Sequence, residues 1–138
     1  MFVHEMSIRV RYGETDQMGY LYYGHYAAYF EVGRVEALRS LGLSYKELEE
    51  KSGIMMPVMS MQVRYLRPGF YDELLKLQTS IRKLPDNDIT FHYEVFNEKN
   101  ELINAASVKL CFILAVDRTT VPVPRSIVEA LNPYFDQK

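Results

Sequence analysis

Tyr12-Gly13-Glu14-Thr15-Asp16-Gln17-Met18-Gly19-Tyr20-Leu21-Tyr22-Tyr23-Gly24-His25-Tyr26 is the stretch on which the reading of this 138-residue chain turns. It sets a carboxylate, Asp16, in a turn shortly before an apolar helical run. A helix N-terminus presents unpaired N–H groups and the positive end of the helix dipole, so it can polarise a carbonyl oxygen while a nearby acid attacks or activates water. In outline that is a site for acyl transfer.

Upstream, Met6, Ile8, Val10 and Tyr12 alternate with Ser7, Arg9 and Arg11, the period of a strand with one buried face. Downstream, Tyr26, Phe30, Gly33, Ala37 and Leu41 recur every three or four residues, which predicts a helix from about Tyr26 to Leu41 with Gly42 as its C-cap. Glu31, Arg34, Glu36 and Arg39 lie off that stripe. Ser44, three residues before Glu47, suggests a capping box and a short helix to Lys51, stopped by Gly53.

Strands follow. Met59 to Tyr65 alternates and ends at Arg67-Pro68-Gly69. Leu75 to Ile81 precedes the turn Pro85-Asp86-Asn87-Asp88, Ile89 to Val95 precedes the turn Asn97-Glu98-Lys99-Asn100, and a long strand runs from about Leu102 to Val116. Pro124 stands at an expected first helical position, ahead of Ile127, Val128, Ala130 and Leu131, and this helix ends near Pro133. The sum is one α+β domain spanning 1–138, an antiparallel sheet of about five strands packed on a long helix.

Composition narrows the function classes. The formal charge is −2, with 16 basic and 18 acidic residues mixed along the chain, so no extended basic footprint points to nucleic acid. The N-terminus MFVHEMSIRV has charges where a signal peptide needs an apolar core, and no apolar run approaches membrane-spanning length, so a cytoplasmic protein without membrane contact is expected. The single cysteine, Cys111, excludes an internal disulfide, and its apolar neighbours make it a core thiol. No His, Cys and carboxylate group has zinc-site spacing, so no metal is expected.

The order of elements, with the Thr15-Asp16 pair, the Gly19 turn, Tyr22-Tyr23 and the Tyr26–Arg34 helix opening, resembles the hotdog-fold thioesterases around 4-hydroxybenzoyl-CoA thioesterase and the short-chain acyl-CoA thioesterases. The resemblance spans nearly the whole chain. It implies a curved sheet wrapped around the central helix, a dimer or dimer of dimers, and hydrolysis of an acyl thioester carried by coenzyme A or acyl carrier protein, with no cofactor. Asp16 matches the family's catalytic aspartate, and Tyr23 the position whose backbone N–H binds the thioester carbonyl, although many relatives have histidine there. Glu31 matches a recurring acidic position.

A carboxylate is ionised at neutral pH without a histidine partner. Asp16 either attacks the thioester or takes a proton from water, with N–H groups near Tyr23 and Gly24 as oxyanion donors. Asp is also a common turn residue, so this position has a purely local reading. His25 orients substrate or assists proton transfer, or is simply a polar residue at the helix start. Arg82, Lys83 and Arg118 are candidates for the coenzyme A phosphates, or solvated surface charges. Glu31 pairs with Arg34 on the helix. The aromatic cluster around the motif and Met55, Met56, Met59 and Met61 line an acyl pocket, a core or a dimer interface.

Open sheet edges favour pairing with a second copy, and the strand ending at Cys111–Val116 is the one expected to continue the sheet. Phosphate-binding residues would then come from the other protomer than Asp16. Two further readings are a non-catalytic acyl-thioester binding domain and a hotdog dehydratase or hydratase. The poor supply of histidines counts against the latter.

Overall fold

A computed structural model describes residues 1–135. The first strand, β1 (Phe2–Arg9), keeps the expected alternation: Phe2 is buried, Met6 and Ile8 are half-buried, and Val3, Glu5, Ser7 and Arg9 are exposed. It ends before Tyr12, which is exposed and opens a 3₁₀ turn over Tyr12–Glu14. The Glu14 N–H closes onto the Arg11 carbonyl at 2.9 Å, which turns the chain out of the sheet.

A second 3₁₀ turn, Tyr23–His25, runs directly into α1 (Tyr26–Ser40). Tyr26, Tyr29, Phe30, Gly33, Ala37 and Leu38 form its buried stripe. Gly42, at φ +83°, ends the helix. Its N–H reaches the Arg39 carbonyl at 2.9 Å and that of Leu43 reaches Leu38 at 3.0 Å, the paired bonds of a Schellman motif.

Arg34 departs from the sequence pattern. It is buried and faces the hydroxyls of Tyr45 and Tyr93, so the expected Glu31–Arg34 pair gives way to an exposed Glu36–Arg39 pair. Ser44 Oγ accepts the Glu47 N–H at 3.3 Å and caps α2 (Tyr45–Glu47), which passes into a π-turn over Leu48–Ser52 and stops at Gly53, φ +65°.

The remaining strands are β2 (Ile54–Met55), β3 (Val58–Tyr65), β4 (Leu74–Ile81), β5 (Asp88–Phe96), β6 (Leu102–Cys111) and β7 (Ile113–Leu114). β1-β4-β5-β6-β3 form a five-stranded antiparallel sheet, and β2 pairs separately with β7. The long strand expected over Leu102–Val116 therefore breaks at Phe112. That side chain is fully buried and its carbonyl accepts from Val121 at 2.8 Å, so the chain changes partners there. β2 is too short for its alternation to be legible.

The core lies between α1 and the sheet. Phe30 stacks on Tyr93 with centroids 4.5 Å apart. Gly33 permits the close approach: a Cβ there would lie 2.7 Å from Thr79 Oγ1 and 2.8 Å from Leu77 Cδ2. Helix α1 packs over β1 and β4 and leaves most of the far edge uncovered, so Val58, Met59 and Met61 of β3 are exposed. The free edges are β1 and β3. β6 lies between β5 and β3, which removes the expected edge role of the segment ending at Val116.

Pro124 sits at the N-cap of α3 (Arg125–Leu131), one position earlier than expected, and Ile127 and Leu131 anchor this helix in the core. No helix among the described residues is long and apolar enough to cross a membrane.

Candidate active site

Asp16 organises the turn between β1 and α1. Its Oδ1 accepts the N–H groups of Met18 at 2.9 Å and Tyr20 at 3.1 Å, and its backbone N–H donates to the Tyr20 carbonyl at 2.8 Å. The reversal needs a left-handed residue, which Gly19 supplies at φ +82°. Asp16 is thus a turn former through one carboxylate oxygen. Its other oxygen, Oδ2, accepts no hydrogen bond from the described residues.

Asp16 and Tyr23 line one cavity of about 270 Å³, walled by Met18, Tyr20, Leu21, Tyr26, Tyr65, Leu66, Arg67 and Pro68. Tyr65 Oη donates to the Tyr23 carbonyl at 3.0 Å, tying β3 to the helix opening. The N–H groups of Tyr23 and Gly24 find no acceptor among the described residues, whereas those of Tyr22 and His25 bond the carbonyls of Glu14 and Tyr22, each at 2.9 Å. Asp16 and Tyr23 therefore share one largely apolar recess, and Asp16 Oδ2 and the N–H groups of Tyr23 and of the adjacent Gly24 have no partner among the described residues. Tyr23 is 63% exposed.

Sequence reasoning missed Glu14, the buried carboxylate beside this recess. Oε1 accepts from Tyr29 Oη at 2.6 Å and Arg11 N at 2.9 Å. Oε2 accepts from Arg11 Nη2 at 2.8 Å and Nε at 3.0 Å and lies 3.1 Å from His25 Nε2. Burial pushes its pKa up, but the Tyr29 hydroxyl, the Arg11 N–H and the Arg11 guanidinium outweigh burial and pull it down to about 2. Burial and the Glu14 carboxylate together push the Tyr29 hydroxyl far above its usual range. The signal was present in the sequence as Arg11, three residues before Glu14, but nothing local reveals Tyr29 as a third partner.

A carboxyl whose folded pKa is depressed stabilises the fold fully above its unfolded value near 4.5, and this contribution is lost as pH falls toward 2. The shift corresponds to about 3 kcal/mol at neutral pH. Urea unfolding from about pH 6 down to about pH 3 is expected to show wild-type stability falling more steeply than that of Glu14→Gln, which has no carboxyl to protonate. Parallel curves would assign the acid sensitivity elsewhere.

Arg82, Lys83, Arg118 and Glu31 line no part of the Asp16 cavity. Arg82 and Lys83 border a recess of about 200 Å³ with Asp86, Asp88, Thr90 and His92. Burial, then the Arg82 charge, lowers the pKa of His92. Arg118 has φ +64° in a turn where Thr119 N–H bonds Asp117 Oδ1 at 3.0 Å. Glu31 is exposed on α1, away from the Asp16 cavity.

The thioesterase superfamily model matches residues 18–104, and YneP of Bacillus subtilis is 36% identical over 112 residues, 80% of each chain. The chain belongs to the thioesterase superfamily. Acyl-CoA thioester hydrolase YbgC of Escherichia coli O6:H1 is similar at 31% identity over 121 residues, 88% of this chain and 90% of that protein. DHNA-CoA thioesterase from Staphylococcus aureus superposes with a TM-score of 0.87 at 35% identity, covering 100% of this chain and 98% of that one. The hotdog architecture expected from the sequence is thus the fold of this thioesterase-superfamily chain.

Proposed function

We propose that this chain hydrolyses acyl-CoA thioesters, releasing a carboxylic acid and coenzyme A. The observation that carries this reading is the apolar recess shared by Asp16 and Tyr23, beside which the N–H groups of Tyr23 and Gly24 have no acceptor among the described residues. YbgC, similar along most of the chain, is named as an acyl-CoA thioester hydrolase.

The thioester carbonyl oxygen accepts from the N–H groups of Tyr23 and Gly24, which offset negative charge as the carbonyl carbon becomes tetrahedral. Asp16 Oδ2 then acts in one of two ways. As a base it takes a proton from water, hydroxide adds to the carbonyl carbon, and the C–S bond breaks to release thiolate. As a nucleophile it forms a mixed anhydride with loss of thiolate, and water hydrolyses the anhydride. Neither route needs a cofactor.

His25 keeps Nδ1 free of partners among the described residues and orients substrate from the helix opening. Arg82, Lys83 and Arg118 take the nucleotide phosphates of coenzyme A. That they line no part of the Asp16 cavity suits a site shared between two copies. The largely uncovered β3 edge, with Val58, Met59 and Met61 exposed, is the surface we assign to self-association.

The test is thiol release from a panel of aromatic and short- to long-chain acyl-CoAs and from an acyl carrier protein thioester. Release from coenzyme A thioesters is expected. Binding without release would favour a carrier role, and loss of enoyl absorbance without thiol would favour a hydratase.

A further inference from the structure

We propose that Glu14 is a positioning residue for the thioester hydrolysis read above, on which this inference rests: its carboxylate and carbonyl lock the opening of α1 in register with the Asp16 turn. Glu14 bonds both halves of the site at once. Its carbonyl takes the Tyr22 N–H at 2.9 Å, immediately before the two free donors, and its carboxylate takes Tyr29 Oη at 2.6 Å, one helical turn beyond His25. On the other side it is anchored to Arg11, two residues beyond β1, and two residues after Glu14 comes Asp16. The isolated bridge between Thr15 and Leu21 closes this loop behind the carboxylate.

The chemistry of the carboxylate also dictates the state of His25. An ionised carboxylate only accepts hydrogen bonds, so the 3.1 Å contact requires a proton on His25 Nε2 and leaves Nδ1 as the acceptor in the neutral ring. His25 is the last residue of the 3₁₀ turn that carries Tyr23 and Gly24, so holding its ring holds that turn. Burial of the Glu14 carboxylate, which is 6% exposed, limits competition from water for these partners.

The experiment uses the full chain with Glu14→Gln and Tyr29→Phe. Glutamine keeps the shape but sets its amide against the donors of Arg11 or His25. We expect kcat in Glu14→Gln to fall about 100-fold, the loss a 1 Å misplacement gives, with KM changed less than about threefold. In ¹⁵N NMR of the free enzyme, the wild-type His25 ring is expected as the single Nε2–H tautomer and the variant as a mixture. Tyr29→Phe, which retains the charge, is expected to lower kcat about tenfold and to keep the tautomer, and it decides the matter if the glutamine variant fails to fold. Unchanged kcat in a folded variant of an active enzyme would overturn the positioning role alone. No hydrolysis by the wild type would overturn the thioesterase reading and this role with it.

Discussion

Replacing Asp16 with asparagine is expected to lower kcat for acyl-CoA hydrolysis by about 10²–10⁴-fold, the usual contribution of a positioned proton-transfer group, while the protein stays folded. The two carboxylate oxygens have different surroundings. Oδ1 holds the turn by accepting from Met18 and Tyr20, and an asparagine carbonyl oxygen accepts those same bonds. Oδ2 is replaced by an amide that is neither a base nor a nucleophile. Asp16→Ala removes both functions and is expected to destabilise as well, by about 1–3 kcal/mol, because two backbone donors lose their acceptor. Steady-state kinetics on the substrate preferred in the panel, with circular dichroism on each variant, separates the effects. Equal rates for wild type and Asp16→Asn would remove Asp16 from the chemistry and leave it a turn residue.

The largest effect on stability is expected at Phe30. It is fully buried, stacks on Tyr93 at 4.5 Å and meets the ring of Tyr26 at 6.2 Å, so it fastens the middle of the sheet to the first turns of α1. Phe30→Ala is expected to cost about 3–5 kcal/mol, from lost transfer free energy and from a cavity whose walls cannot close. The walls are rigid because Gly33, one turn on, already holds helix and sheet at contact distance. For a domain of this size the loss corresponds to a Tm lowered by about 10–20 °C at fixed protein concentration. A shift under about 3 °C would mean that the helix repacks onto the sheet.

Much of the architecture was legible because its causes are local. The β5–β6 turn shows this well: Asn97 Oδ1 accepts from Lys99 and Glu101 at 3.0 and 2.9 Å, and Asn100 takes φ +63°, as such turn residues do. Gly42 and Gly53 stop their helices through the same backbone freedom. The Asp16 turn was legible for a similar reason, since an aspartate, a glycine three residues on and an apolar helix lie within one short stretch. The unpaired N–H groups at the helix opening were also readable, because helix starts leave N–H groups without intrahelical partners by geometry alone.

Arg34 and Glu14 were not legible, and for one reason. Arg34 is a charged residue off the apolar stripe and Glu14 a charged residue in a turn, yet each is buried by a partner distant in sequence: Tyr93 for Arg34, Tyr29 for Glu14. The largely uncovered β3 strand is the converse case. Its alternation promises a buried face, but α1 does not reach far enough across the sheet to cover it.

The amino-acid sequence by itself determined the α+β order of elements, the helix limits, the turns and the place of Asp16, since these follow from periodicity and from bonds within a few residues. Only the tertiary structure decided where the long C-terminal strand breaks at Phe112, which edges stay open, and which carboxylate is clamped beneath the helix opening. Those outcomes depend on which surfaces meet across the fold, and contact between residues far apart in the chain leaves no period for a sequence to display.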